Sequence, residues 1–219
     1  MIKAVLFDLD GTLIDSLSDL ADATNRVLQN NGFAPRPKEA FPYYVGNGIP
    51  KMIERALPDA VKDAETVNRL TKEFLAYYGQ HYADKTVAFD GMPELITDLK
   101  KNGLRLAVVT NKAQEMAEAV VKKLYGEKTF DLIFGKRADT PAKPDPTVSR
   151  SVMETFGVLP EECAFLGDSG VDMQTARNCG ALPIGVLWGY RNEAELRENG
   201  VQFLIQKPKE FLKVLDEVL

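Results

Sequence analysis

Short apolar runs alternate with segments of helical periodicity through residues 89–219, and this alternation constrains the fold more than any other feature of the chain. Each run is rich in β-forming residues and is bounded by glycine, proline or polar residues, which is typical of buried strands. Strands that alternate with helices form a parallel sheet with helices on both faces, joined by right-handed crossovers. The sequence therefore predicts an α/β fold with a doubly wound, Rossmann-like parallel sheet.

The first strand of the predicted sheet is separated from the others by a long insertion. The predicted strands cover residues 2–7, 104–109, 132–134, 163–166, 183–187 and 203–205. Helical periodicity begins at Leu17, residues 33–85 contain no convincing strand, and Ser16 could cap the first helix. We therefore predict a Rossmann-like catalytic core of residues 1–15 and 89–219, and an all-helical cap domain of residues 16–88. Within the insertion, the glycine-containing loop 45–48 could approach a ligand.

Composition limits the classes of function. The 219 residues carry a net charge of −5 with a pI near 5.1, which argues against a general nucleic-acid or anionic-membrane binder. The sequence has no run of the ~20 apolar residues that a membrane helix needs, and it reaches Asp8 too soon for a signal peptide. Cys163 and Cys179 lie in apolar stretches and are expected to be buried free thiols. We expect a cytoplasmic monomer or homodimer that binds neither nucleic acid nor a membrane.

Polar residues follow directly after three of the predicted strands. They are Asp8 and Asp10 after the first strand, Thr110 and Asn111 after the second, and Asp168 after the fourth. Because the carboxyl ends of parallel strands lie at one edge of a sheet, these residues should meet although about 160 positions separate the first from the last. Lys143, in the loop between the third and fourth strands, can reach the same edge.

The residue types at this edge favour phosphoryl transfer. Asp8, Asp10 and Asp168 would repel one another if they were buried without a cation, whereas Mg²⁺ binds oxygen ligands of this kind. Asp172 follows four residues after Asp168 and could orient a ligand of the metal or cap its own helix. Lys143 supplies a compact positive charge for a phosphate oxygen. Neutralised in this way, a phosphoryl group can be approached by an anionic carboxylate.

Four short motifs occur in order along the chain, each at a predicted strand end or in an adjoining loop. They are Asp8-Leu9-Asp10-Gly11-Thr12, Val109-Thr110-Asn111, Lys143-Pro144 and Gly167-Asp168-Ser169-Gly170-Val171-Asp172. Together they resemble the motifs of the haloacid dehalogenase superfamily, in the branch that includes phosphoglycolate phosphatase. The resemblance covers nearly the whole chain. The loop over residues 135–141 and Asp145 depart from the pattern of that branch, which leaves the exact substrate open.

The resemblance implies a role for each of these residues. Asp8 would attack phosphorus and form an aspartyl-phosphate, while Asp10 would protonate the leaving alkoxide and then activate water. The groups that would hold Mg²⁺ are the Asp8 carboxylate, the Asp10 backbone carbonyl and Asp168, with Asp172 in support. The residues that would bind the phosphate or the substrate are Thr110, Asn111 and Lys143. The cap domain would close over a small phosphorylated metabolite, with 2-phosphoglycolate as the leading substrate.

Three other functions fit part of the pattern. A dehalogenase of the same superfamily has no alkoxide to protonate and lacks the second aspartate, so Asp10 argues against it. A sugar phosphomutase shares the cap type and all four motifs, but the segment around Asp15 and Ser16 is more similar to the phosphatase group. A non-catalytic phosphate-binding or regulatory domain also uses acidic residues, a threonine and a lysine, but it is shorter and does not need Asp10. The sequence therefore predicts a magnesium-dependent phosphatase.

Overall fold

A parallel sheet lies at the centre of the structure, a computed structural model that describes residues 1–218. The strands are β1 (Ala4–Phe7), β2 (Ile14–Asp15), β3 (Val87–Ala88), β4 (Arg105–Ala113), β5 (Leu132–Lys136), β6 (Cys163–Gly167), β7 (Leu182–Val186) and β8 (Phe203–Ile205). Apart from β2 and β3, the strands in this part of the chain form one sheet in the order β5-β4-β1-β6-β7-β8. Each neighbouring pair in that sheet is parallel. The predicted α/β class with a parallel sheet is confirmed.

Strand β1 occupies the middle of the sheet because all of its side chains are apolar and fully buried. The strand register places Phe7 beside Val108 of β4 and beside Leu166 of β6. The backbone N–H of Asp8 also donates a hydrogen bond of 2.9 Å to the Leu166 carbonyl. The chain segments that continue from β1, β4 and β6 therefore leave the sheet at one level and along one edge.

Helices cover both faces of the sheet, as the alternating pattern predicts. The helices are α1 (Leu17–Asn30), α2 (Phe41–Tyr44), α3 (Ile49–Ala56), α4 (Ala64–His81), α5 (Met92–Lys101), α6 (Gln114–Tyr125), α7 (Thr147–Phe156), α8 (Gly170–Cys179), α9 (Glu193–Glu198) and α10 (Glu210–Glu217). Val5 and Phe7 point to one face of the sheet, in the apolar cluster with α5, α6 and α10. Ala4 and Leu6 point to the other face, in the cluster with α7 and α8. Successive side chains of a strand alternate between faces, so a fully apolar β1 serves both layers.

The inserted helices α1 to α4 pack around an apolar cluster of their own. Its fully buried members include Leu20, Ile53, Phe74 and Tyr78. Because a separate core is the usual mark of a domain, this cluster supports the proposal that residues 16–88 form a cap domain.

The two linkers that join the inserted helices to the sheet lie side by side. Strands β2 and β3 pair antiparallel, with Ile14 opposite Ala88. Asp19, in the first turn of α1, is buried and accepts hydrogen bonds from the backbone N–H groups of Lys85 and Thr86 and from the Thr86 hydroxyl. This carboxylate therefore ties the start of the inserted segment to its end.

Local structure differs from the sequence-based predictions at three points. The β2–β3 pair is not predicted, because two-residue strands have no recognisable alternation. Strand β4 continues beyond the predicted end at residue 109, although its pairing with β5 becomes irregular between Val109 and Ala113. Ser16 occupies the N-cap position of α1, as the sequence predicts, but its side chain makes no capping hydrogen bond and its Oγ donates to Asp10 Oδ1 instead. A hydrogen bond to a charged carboxylate is stronger than one between neutral groups.

Both cysteines are buried free thiols, as the sequence predicts. Burial raises the pKa of the Cys163 thiol, so this sulfur stays protonated and unreactive. Within residues 1–218, no helix combines the length and the apolar composition needed to cross a bilayer.

Removal of the Asp19 carboxylate, which ties the two linkers together, should destabilise the folded protein. We expect Asp19→Ala to lower the free energy of unfolding by about 1–3 kcal/mol, because the buried donors of Thr86 and the partly buried N–H of Lys85 lose their acceptor. Urea denaturation followed by circular dichroism measures this difference. Asp22→Ala is the matched control, since Asp22 pairs with Lys85 at the surface and such an exposed pair is worth little. Equal effects of the two substitutions would contradict the role assigned to Asp19.

Candidate active site

The residues that the sequence singles out meet at the carboxyl edge of the sheet. Asp8, Asp168 and Asp172 each offer a carboxylate oxygen within 4.8 Å of the others, and all three residues are buried. The predicted positions line two adjoining cavities, one of about 40 Å³ with Asp8, Asp10, Thr110 and Asn111, and another with Asp8, Asp10, Lys143, Asp168 and Asp172. Residues from four separate parts of the chain therefore share one site.

Lys143 lies between two of the carboxylates. Its Nζ donates to Asp8 Oδ1 at 2.6 Å and to Asp172 Oδ1 at 2.7 Å. Burial opposes the charge of this ammonium group, but the charges of Asp172 and Asp8 raise the pKa of Lys143 above its ordinary value. The lysine therefore stays charged and holds Asp8 and Asp172 in place.

The carboxylates at this edge outnumber the cations that face them. Burial raises the pKa of Asp8 to about 7, and the charge of Asp172 adds to the effect, while Lys143 opposes it. Burial and the charges of Asp172 and Asp8 also raise the pKa of Asp168 well above its ordinary value. A further positive charge at this position would relieve the repulsion.

Asp172 serves as a helix cap and as a partner of Lys143. Its Oδ2 accepts hydrogen bonds from the backbone N–H of Ser169 at 3.0 Å and from the Ser169 hydroxyl at 2.6 Å. The Ser169 side chain in turn accepts from the backbone N–H of Asp172, which completes a capping box at the start of α8. Both oxygens of Asp172 are thus engaged with protein groups.

Two glycines surround the Asp168 side chain. A Cβ atom on Gly11 would lie 2.4 Å from Asp168 Oδ2, and one on Gly189 would lie 2.2 Å from Asp168 Cβ. Gly11 also has a φ of +93°, which other residues rarely adopt. The backbone N–H of Tyr190 donates to Asp168 Oδ2 at 2.7 Å. The backbone therefore fixes the carboxylate from two sides.

The donor set at this edge fits Mg²⁺. Carboxylate oxygens are hard ligands, and a divalent cation neutralises the crowded charges of Asp8 and Asp168. Asp172 is less available because Lys143 and Ser169 already occupy its oxygens. These contacts support Asp8 and Asp168 as direct ligands and Asp172 as a supporting residue.

Asn111 connects two loops of the site. Its Oδ1 accepts from the backbone N–H of Lys143 at 2.8 Å, and its Nδ2 donates to the Gly46 carbonyl at 3.1 Å. Arg191 Nη2 donates to the neighbouring Val45 carbonyl at 2.7 Å. The glycine-containing loop 45–48 is therefore held over the carboxyl edge of the sheet by two side chains of the core.

Sequence reasoning misses Lys112, a buried lysine beside Asp10. Its Nζ lies 3.0 Å from Asp10 Oδ1 and 3.0 Å from the hydroxyl of Tyr78. The backbone N–H of Lys112 also donates to Thr110 Oγ1 at 3.1 Å. The available signal was its position two residues after Thr110, because alternate residues of a strand share a face.

The fold and the site together define a class of hydrolases that have a parallel α/β core and a helical insertion after the first strand. The chain belongs to the haloacid dehalogenase-like hydrolase family, whose model matches residues 5–186.

Relatives with related activities cover almost the whole chain. A phosphoglycolate phosphatase from Colwellia psychrerythraea is 34% identical over 96% of this chain and 95% of its own length. An N-acetylmuramic acid 6-phosphate phosphatase from Pseudomonas aeruginosa is 32% identical over 100% of this chain and 96% of its own. A crystal structure from Lactobacillus delbrueckii subsp. bulgaricus, provisionally assigned as a phosphoglycolate phosphatase, has a TM-score of 0.92 at 29% identity, covering 97% of this chain and 98% of that one. The chain is therefore a phosphatase of the phosphoglycolate phosphatase-like branch.

Removal of one crowded carboxylate should stabilise the metal-free protein at alkaline pH. The raised pKa of Asp168 means that the folded protein holds a proton that the unfolded chain has already lost, so stability falls as pH rises through this window. We expect Asp168→Asn in EDTA at pH 8 to raise the unfolding temperature by about 2–4 °C or more. The gain should disappear near pH 4, where the carboxyl group is protonated in the folded state and increasingly so in the unfolded state.

The same thermal scans test the metal assignment. Mg²⁺ should raise the unfolding temperature of the wild-type protein more than that of Asp168→Asn, because a ligand stabilises the state that binds it. Asp139→Asn is the control, since Asp139 is exposed and should respond to Mg²⁺ as the wild type does. An equal response of Asp168→Asn would argue against Asp168 as a ligand.

Proposed function

We propose that this phosphatase hydrolyses a small phosphate monoester with Mg²⁺ and forms an aspartyl-phosphate on Asp8, with 2-phosphoglycolate as the preferred substrate. The observation that carries the proposal is the 2.6 Å contact between Lys143 Nζ and Asp8 Oδ1, buried at the carboxyl edge of the sheet. A lysine in this place both orients the carboxylate and offers positive charge to an approaching phosphoryl group.

Asp8 is the proposed nucleophile. Lys143 holds its Oδ1, so Oδ2 is the oxygen proposed to attack phosphorus. The new Oδ2–P bond forms as the P–O bond to the leaving group breaks, and the product of this step is the aspartyl-phosphate. Burial of the carboxylate favours attack because a poorly solvated nucleophile has less water to displace.

Asp10 is the proposed general acid and base. It lines the same cavity as Asp8 and lies two residues further along the chain. In the first step Asp10 enters in its protonated form and gives that proton to the departing ester oxygen, which leaves it as the carboxylate that Lys112 and Ser16 contact in this structure. In the second step it takes a proton from the water that attacks phosphorus, which releases inorganic phosphate and restores the Asp8 carboxylate.

The remaining site residues are proposed to bind the phosphoryl group and the metal. Thr110 Oγ1 accepts from the backbone N–H of Lys112, so its own proton is free to point into the cavity. Asn111 is proposed to contact the substrate and also to hold in place the loops that carry Lys143 and Gly46. The Asp8 and Asp168 carboxylates and the Asp10 carbonyl would hold Mg²⁺, which when bound supplies positive charge to the phosphoryl oxygens.

The inserted helices are proposed to select the substrate. The side chains that they contribute to the small cavity are apolar, namely Leu20, Val45, Ile49 and Met52. The names of the Colwellia and Pseudomonas relatives support a phosphomonoester, and the first of them supports 2-phosphoglycolate.

Two unpaired buried thiols support a reducing, cytoplasmic setting.

The nucleophile assignment predicts that Asp8→Asn loses activity without losing the fold. Hydrolysis of p-nitrophenyl phosphate in Mg²⁺ should fall by about 10³-fold or more, because the amide cannot form the covalent intermediate. Release of p-nitrophenol measures the rate, and circular dichroism checks the fold. Asp145→Asn, an exposed carboxylate two residues after Lys143, should keep wild-type activity. Near-normal turnover by Asp8→Asn would contradict the assignment of Asp8 as the nucleophile.

The substrate assignment predicts a rank order of specificity constants. Phosphate release should give the highest kcat/KM for 2-phosphoglycolate among alkyl phosphates that include N-acetylmuramic acid 6-phosphate, glucose 6-phosphate and glycerol 3-phosphate. A higher kcat/KM for one of the sugar phosphates would replace 2-phosphoglycolate as the substrate. Conversion of glucose 1-phosphate to glucose 6-phosphate, followed in the same assays, would instead indicate a phosphomutase.

A further inference from the structure

Lys112 is a buried lysine that the proposed mechanism does not use. Its side chain is 3% exposed. Its Nζ lies 3.0 Å from Asp10 Oδ1, 3.3 Å from Asp10 Oδ2 and 3.0 Å from the Tyr78 hydroxyl oxygen. An ammonium group has three protons, so these three acceptor atoms match its full donor capacity. In this arrangement, Lys112 is committed to protein groups and is not free to bind phosphate.

The charge of Lys112 depends on the same two partners. Burial opposes the ammonium charge, but Asp10 and Tyr78 raise the pKa of Lys112 above its ordinary value. A buried charge that loses its partner is strongly destabilised. Lys112 and Asp10 therefore stay together as a pair, and the position of one determines the position of the other.

Asp10 is held at both carboxylate oxygens. Lys112 contacts Oδ1 and Oδ2, and the Ser16 hydroxyl donates a further hydrogen bond to Oδ1. Rotation of the carboxylate about its Cβ–Cγ bond would disturb these contacts together. Lys112 lies on strand β4, whereas Ser16 directly precedes helix α1. Asp10 is therefore fixed by two separate segments of the chain.

Tyr78 connects this pair to the inserted helices. It lies on α4, is fully buried, and stacks on Phe74 with ring centroids 5.0 Å apart. Burial raises the pKa of its phenol, so the hydroxyl stays protonated and its oxygen accepts from Lys112. The only polar atom of the Tyr78 side chain is thus directed from the core of the inserted segment to a lysine of the sheet.

We propose that Lys112 is a positioning residue for Asp10, and that Tyr78 makes this position depend on the docking of α4 against the sheet. The proposal deepens the proposed function and rests on it for the role of Asp10 in proton transfer. Proton delivery to the leaving oxygen then requires three groups to be correctly placed at the same time. They are Asp10 in the loop after β1, Lys112 on β4 and Tyr78 on α4. Phosphoryl transfer to Asp8 does not require Lys112 when the leaving group departs without a proton.

The test compares kcat/KM for two kinds of phosphate ester, because kcat/KM reports only the steps up to cleavage of the P–O bond. p-Nitrophenyl phosphate has a good leaving group that needs no proton, whereas the best alkyl phosphate of the substrate panel has a poor one. We expect Lys112→Met to lower kcat/KM for the alkyl phosphate by about 10-fold or more and for the aryl phosphate by less than about threefold. Lys122→Met, which removes an exposed lysine of α6, should change neither value.

Further variants separate positioning from a purely structural role. Tyr78→Phe keeps the stacked ring and removes only the hydroxyl, so it should fold and show the same preference with a smaller loss. In an Asp10→Asn background, Lys112→Met should cause no additional loss on the alkyl phosphate, because residues that act as a unit are not additive. If Lys112→Met alone is too unstable to purify, Tyr78→Phe measured in the wild-type and Asp10→Asn backgrounds carries the same comparison.

Two outcomes would overturn the inference. One is an equal loss on aryl and alkyl phosphates in Tyr78→Phe or Lys112→Met. The other is an undiminished effect of Lys112→Met, or of Tyr78→Phe, after Asp10 has been replaced. Either result leaves the nucleophile assignment standing as long as Asp8→Asn is inactive, so failure of this inference and failure of the proposed function are distinguishable.

Discussion

Three buried carboxylates and one lysine occupy a small space at the carboxyl edge of the sheet, and their mutual repulsion governs what the site can bind. Lys143 contacts Asp8 and Asp172 directly, while Asp168 lies between two glycines of the backbone. Burial alone raises the pKa values of Asp8 and Asp168, and like charges add to the effect. Such an arrangement destabilises the folded protein, and it is retained where binding of a cation and an anion together offsets that destabilisation. The rigid sheet supplies the support, because the strands that carry these residues are buried on both faces.

The sequence predicts the chemistry of this edge better than the environment of each residue. Asp8 and Asp168 can be placed because parallel strands end on one side, which needs only the strand positions and the handedness of the connections. Lys112 could not be placed in the same way, because an isolated lysine is normally solvated and its partner Tyr78 lies on a helix whose orientation depends on tertiary packing. Ser16 shows a related limit: a serine before a helix favours a cap, and only the proximity of Asp10 overrides that preference.

The inserted helices contact the site at two levels. The loop 45–48 is held from the outside through the carbonyls of Val45 and Gly46, which accept from Arg191 and Asn111. Tyr78 reaches the site from inside the helical cluster and meets Lys112. The first contact uses only backbone carbonyls of the insertion and so places few demands on its side chains. The second depends on one particular hydroxyl, which makes it more sensitive to sequence.

The side-by-side arrangement of the two linkers has a consequence for how such proteins diversify. Because Ile14 pairs with Ala88, the chain leaves the core and returns to it through neighbouring positions. An insertion of another length or architecture can therefore be exchanged between these two points without shifting the strands that carry the phosphoryl-transfer residues. Recombination at this pair would give new substrate ranges on the same set of strands, provided that the new insertion supplies a partner for Lys112 in place of Tyr78. The same two positions are natural junctions for building chimeric enzymes.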